Sequence, residues 1–103
     1  MKLNLATGFL VFAFIFISCG ESTDVVESGT YQGTIDKVEP EKTEIYVTTS
    51  DDKTLELYFT ENTSLTRNGD TVDFSTLREG QNVEVQVEKV GQRLDPISVQ
   101  ILD

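Results

Sequence analysis

The chain contains one cysteine, Cys19, and no histidine. A serine, threonine or cysteine nucleophile needs a neighbouring base to activate it, so triad-type catalysis has no starting point here. A histidine- or cysteine-based metal site is ruled out on the same count. Neither a Walker-type phosphate loop nor a dinucleotide fingerprint occurs. The chemistry left is that of carboxylates and phenols. Asp51-Asp52 and the group Asn68, Asp70 and Asp73 form two oxygen-rich stretches that suit calcium, although neither has EF-hand spacing. Aspartate and asparagine also gather in turns simply because their side chains bond to nearby backbone. No enzyme activity and no cofactor are therefore expected, with Asp51, Asp52, Asp70 and Asp73 kept as weak calcium candidates.

Aromatic residues give a second hint. Tyr46 and Tyr58 alternate with Ile45/Val47 and with Leu57/Phe59, so each occupies the face of its strand opposite the apolar row. If the two strands pair, both phenols lie on one outer face and form a candidate ligand platform. The formal net charge of −10, from 18 acidic against 8 basic residues, repels nucleic acid. Glycans or envelope proteins are the partners left.

Cys19 has a context of its own. Met1-Lys2 opens the chain with positive charge, Gly8–Ile17 is almost wholly apolar, and Phe16-Ile17-Ser18-Cys19 ends the run before the polar Gly20-Glu21-Ser22-Thr23-Asp24. The apolar stretch is shorter than the roughly 20 residues of a membrane-spanning helix and has the layout of a cleaved export signal. The closing residues resemble the bacterial lipobox, which implies lipidation of Cys19 and removal of residues 1–18. Phe16 stands where that motif usually has leucine. Two or three acyl chains make a stable membrane anchor where one chain is marginal. Residues 19–28 are expected to be the lipidated cysteine with a flexible acidic tether. An acidic stretch just after the cysteine resembles the export signals of Bacteroidota surface lipoproteins, which implies an outer-membrane location on either face. Asp70-Thr71-Val72 resembles the O-glycosylation triplet of exported proteins in that group, with Thr71 as acceptor.

The elements that must position these residues are strands. From Gly29 onward apolar residues mostly recur at every second position. Tyr31, Gly33 and Ile35, closed by Val38, mark a first strand; Ile45 and Val47 a second; Leu55, Leu57 and Phe59 a third. Asn68-Gly69 signals a tight hairpin between Leu65 and Val72. Phe74 and Leu77 point inward from a short helical turn that exits at Gly80. Val83, Val85 and Val87 mark the clearest strand, and the chain returns after Gly91 through Leu94, Ile97, Val99 and Ile101. Pro96 belongs at an edge, bulge or junction. This predicts an all-β, five- to six-stranded OB-like barrel over residues 29–103.

The pattern resembles small bacterial envelope domains of unknown function with OB-like barrels. The resemblance lies in Gly33-Thr34-Ile35, Ile45-Tyr46-Val47, Asn68-Gly69, Leu77, Gly80, Val83, Val85, Gly91 and Ile97–Ile101. It implies a binding or accessory module and names no ligand. Two functions follow as expectations. One is a lipid-anchored envelope module that binds a protein or glycan; the other is a calcium-responsive structural lipoprotein using its acidic loops. The oligomeric state is open.

Overall fold

The computed structural model describes residues 23–103. Strand β1 (Gly29–Glu39) leads through a 3₁₀ turn at Pro40–Lys42 into β2 (Glu44–Thr49), and a short hairpin then gives β3 (Thr54–Tyr58). The hairpin β4 (Ser64–Arg67) and β5 (Asp70–Thr71) follows, then a second 3₁₀ turn at Phe74–Thr76. The long hairpin β6 (Asn82–Val90) and β7 (Arg93–Ile101) closes the fold. The hydrogen-bonded order is β3-β2-β1-β6-β7-β4-β5. All pairs are antiparallel except β4 with β7.

Strands β1, β2, β3, β6 and β7 curl until β3 and β7 approach each other, without a ladder between them. This is the expected all-β barrel, extended to seven strands because the β4–β5 hairpin joins the sheet along β7. The inward row is Ile35, Ile45, Val47, Leu55, Leu57, Val83, Val85, Val87, Val99 and Ile101, with Leu65 and Leu77 packed beneath the insert. Phe59 and Phe74 meet edge-to-face at 5.1 Å and pin the insert to the end of β3.

Two bulges explain why the alternation breaks. The β1–β2 register slips between Ile35 and Lys37, so Val38 turns back toward the core after one extra residue. The β6–β7 register slips between Gln86 and Val87, which pair with Ser98 and Pro96. Leu94 and Pro96 are thereby buried, while Ile97, aligned by sequence with the returning apolar row, turns outward and is 39% exposed. Pro96 thus sits at a bulge, where its missing N–H is least costly.

Gly33 is required by close approach: a Cβ there would run into the Thr48 carbonyl of the neighbouring strand. Asn68 (φ 54°) and Gly69 (φ 87°) are the two positive-φ residues of the β4–β5 turn, as a two-residue primed hairpin requires.

Residues 24–28 differ from the expected flexible tether. The Asp24 N–H donates to the Thr54 carbonyl (2.7 Å), and the Asp24 carboxylate accepts from the Thr54 N–H (2.9 Å). The Lys89 N–H donates to the Ser28 hydroxyl (2.8 Å), Lys89 Nζ pairs with Glu27 (3.3 Å), and the Tyr31 hydroxyl donates to the Glu27 carbonyl (2.7 Å). Val26 packs against the core. The segment is a strap running from β1 across to the outer edge of β3. Its composition suits a linker, but the unpaired edge of β3 offers backbone groups that Asp24 satisfies. The proposed signal peptide and Cys19 lie outside the described residues.

Candidate functional site

The β2–β3 register builds the site. Glu44 stands opposite Tyr58, Ile45 opposite Leu57, and Tyr46 opposite Glu56. Ile45 and Leu57 face the core, so Glu44, Tyr46, Glu56 and Tyr58 share the outer face. On β1, Lys37 pairs with Tyr46 and Glu39 with Glu44. Tyr46 and Tyr58 are diagonal neighbours rather than directly opposed, and a carboxylate faces each of them.

Glu44 is the unusual member. It lies on the outer face yet is 0% exposed, and neither carboxylate oxygen has a hydrogen-bond partner in good geometry. Tyr58 and Glu56 nonetheless stand close enough to affect its titration. Its pKa is raised, first by loss of water and then by the neighbouring Glu56 carboxyl, with the Tyr58 phenol and Lys42 pulling the other way. The carboxylate thus lies on the outer face of the sheet but without contact to solvent.

The two phenols differ. Tyr46 is half-buried, and its hydroxyl reaches Glu56 Oε2 at 3.4 Å. Burial, then the charges of Glu56, Glu44 and Glu39, push its pKa up to about 12. Lys37 Nζ stands 5.7 Å from the Tyr46 ring centroid and pairs with Glu39 at 2.8 Å. The Lys37 hydrogen bond holds the Glu39 carboxyl below its ordinary range. Tyr58 is 46% exposed, with its pKa raised chiefly by the Glu44 carboxylate. Its ring borders two hollows along the β3–β7 seam: one of about 90 Å³ shared with Asp24, Val25 and Glu56, the other of about 590 Å³ shared with Leu94, Pro96 and Ile97. A hollow of about 540 Å³ at the other end of β2 is lined largely by groups that already bond to one another, among them Thr34, Asn82 and Asp103.

The acidic loops take local roles. Asp51 accepts a 2.6 Å hydrogen bond from the Thr49 hydroxyl, which lowers its pKa, and Asp52 adopts the positive φ of the hairpin turn. Asp70 lies in β5, and the Asp73 carbonyl accepts from the Thr76 N–H of the following 3₁₀ turn. Among the described residues no three aspartate, glutamate, histidine or cysteine side chains gather as a metal site. Thr71 is exposed in β5.

Sequence reading found the two tyrosines and missed Glu44. An acidic residue at an outward strand position reads as solvated; only the register, which sets Tyr58 and Glu39 on either side of it, reveals the cover.

Comparison with solved structures returns proteins of similar fold. A tryptophan-to-alanine variant of CusF from Escherichia coli with Cu(II) superposes with a TM-score of 0.59 at 11% identity, covering 75% of this chain and 94% of that one. CusF with Ag(I), also from Escherichia coli, gives the same values. Apo-CusF from that organism gives 0.57 at 9% identity, covering 86% of this chain and all of the other. At this identity the likeness establishes a shared OB-type barrel. No family model matches the chain, and no curated protein does so either.

Proposed function

We propose that this chain is a non-catalytic, lipid-anchored binding module of the bacterial cell envelope, held at the outer membrane through Cys19. Its ligand face is the outer surface of β2 and β3. The observation that carries this reading is the cluster of Glu44, Tyr46, Glu56 and Tyr58 on one outer face of the barrel, with an exposed ring beside a covered carboxylate. Such a face supplies apolar contact and directed polar groups without any residue that could act as an activated nucleophile. Its partner is a protein or glycan.

The solved relatives in fold carry Cu(II) and Ag(I). Soft ions such as Ag(I) select thiolate, thioether or imidazole donors. This chain has no histidine, a single methionine at position 1 and a single cysteine at position 19. The donor set does not fit soft-metal binding, so the barrel is read here as a scaffold with a different cargo. The calcium reading of the acidic loops predicts a melting temperature that rises with millimolar calcium; an unchanged value removes it.

Two measurements test the proposal. Intact mass of native, membrane-extracted protein should equal residues 19–103 plus acyl chains, and Cys19→Ala should abolish the modification. An unmodified mass would overturn the anchor. Crosslinking in the membrane should then capture a partner whose yield falls in a Tyr46→Ala/Tyr58→Ala double variant. Undiminished capture would move the binding face elsewhere. The same mass measurement would show whether Thr71 carries a glycan.

A further inference from the structure

The covered carboxylate of Glu44 narrows the chemistry of the partner. A buried carboxylate without donors is costly, because water's hydrogen bonds are lost and nothing replaces them. The simplest sequence to avoid that cost would carry an apolar or amide side chain at the same position, and the barrel itself does not need the charge: Glu44 points away from the Ile45/Leu57 core. A second carboxylate, Glu56, stands near enough to raise the Glu44 pKa. Two acidic groups on one face, with neither Glu44 oxygen hydrogen-bonded and Lys42 only the smallest influence on Glu44, favour positive charge brought by a ligand.

The charged and titratable surroundings are unequal on the two sides. On the β1 side, Lys37 pairs with Glu39 at 2.8 Å, and Lys42, from the connecting turn, approaches the same Glu39 at 3.9 Å. Lys37 also lies over the Tyr46 ring. Both lysines thus approach Glu39, and Lys42 also acts weakly on Glu44. On the β3 side, Glu44 meets Glu56 and the Tyr58 phenol, and the nearest cation along the seam, Arg93, is engaged with Asp95 at 2.7 Å. Tyr58, 46% exposed, stands opposite Glu44 in the β2–β3 register and borders the seam hollows. The exposed π-face of its ring is available to a cation.

We propose that Glu44 and Glu56, together with Tyr58, form a receptor for a basic side chain of a partner protein, an arginine guanidinium in its best-fitting form. This rests on the reading of the β2–β3 face given above and selects a protein over a neutral glycan. A planar guanidinium can donate two parallel hydrogen bonds to one carboxylate and stack on a tyrosine ring, which matches the two kinds of group present. The net charge of −10 would draw a basic partner toward this surface. Because the free Glu44 carboxyl holds its proton more tightly than usual, binding releases a proton to solvent and weakens as the pH falls.

The test is an NMR titration of the full chain, extracted in detergent, with N-acetyl-arginine amide, using N-acetyl-citrulline amide as the uncharged isostere. Saturable shifts at the amides of residues 44, 46, 56 and 58 are expected with the arginine probe. Affinity should be about tenfold lower for citrulline and for Glu44→Gln, the equivalent of one lost charge-assisted contact. It should also fall as the pH is lowered from neutral toward 4.5. Glu56→Gln is a second variant with the same expected direction, so the result does not depend on one substitution folding. Arginine and citrulline binding alike, or unchanged arginine affinity in both glutamine variants, overturns the proposal. So does calcium chloride producing the same shifts and competing with arginine, which would make the site a metal site. Failure here with Tyr46/Tyr58-dependent partner capture intact sinks the cation receptor alone; loss of that capture dependence as well sinks the face.

Discussion

Two outward faces of the same barrel follow the same alternation and end differently. On β6 and β7, Val83, Val85, Val87 and Val99 are buried, and Gln86, Glu88 and Gln100 stand exposed in water. On β2 and β3 the core row is just as regular, yet Glu44 on the outward side has no exposed surface. The sheet fixes which side a residue takes; the neighbours on that side decide whether water reaches it. On β6–β7 the cross-strand neighbours of the polar residues are themselves small or polar, as with Gln86 opposite Ser98 and Glu84 opposite Gln100. On β2–β3 a large phenol lies opposite the carboxylate. On this difference the proposed ligand face rests.

Substitutions can break or sharpen this contrast. The largest effect is expected from Leu57→Ala, which removes a fully buried side chain beneath the β2–β3 face. A loss of about 2–5 kcal/mol, read from chemical denaturation, would match ordinary core truncation. A much smaller loss would show that the face is not held up by a close-packed core.

Glu44→Gln should act in the opposite direction. With the charge gone, the free protein is expected to gain on the order of 1 kcal/mol at neutral pH. The pH dependence follows from the raised carboxyl. Between the ordinary value of 4.5 and the raised folded value, the native state holds more protons than the unfolded chain, so wild-type stability falls as pH rises through that window. The advantage of the glutamine variant should therefore shrink as the pH is lowered toward 4.5. A destabilised variant with no pH dependence would mean that the Glu44 carboxylate is supporting the fold.

Asp24→Ala tests whether the strap holds the edge of β3. Removing the acceptor for the Thr54 N–H should cost about 1 kcal/mol or less and speed hydrogen exchange at that amide. Unchanged exchange would release the strap from any structural role. The smallest effect belongs to Glu84→Gln, the matched control on the β6–β7 face, expected within about 0.5 kcal/mol of wild type. A shift there as large as that of Glu44→Gln would erase the contrast between the two faces.

Much of the fold was legible because burial on one side of a sheet forces a period of two. Val83, Val85 and Val87 could be read as inward residues directly, as could Ile45/Val47 and Leu55/Leu57. The Asn68-Gly69 turn was legible because few residue pairs accept two successive positive φ values. Ile97 was harder: a bulge inserts one residue, and nothing local states on which side of Pro96 the extra residue falls. The strap was also hidden, since Asp24–Ser28 have the composition of a linker and gain most of their partners from distant strands, Asp24 from Thr54 on β3 and Glu27 and Ser28 from Lys89 on β6.

The sequence by itself determined the class of fold, the absence of a histidine- or cysteine-based active site among its residues, and the outward placement of Tyr46 and Tyr58. These depend on composition and on the two-residue repeat, both local properties. The tertiary structure alone decided that Glu44 meets Tyr58 and that Tyr46 meets Glu56. Pairing between strands depends on register, and a slip by a single residue would move every partner. The burial of one carboxylate, and the cation site inferred from it, are set by that register.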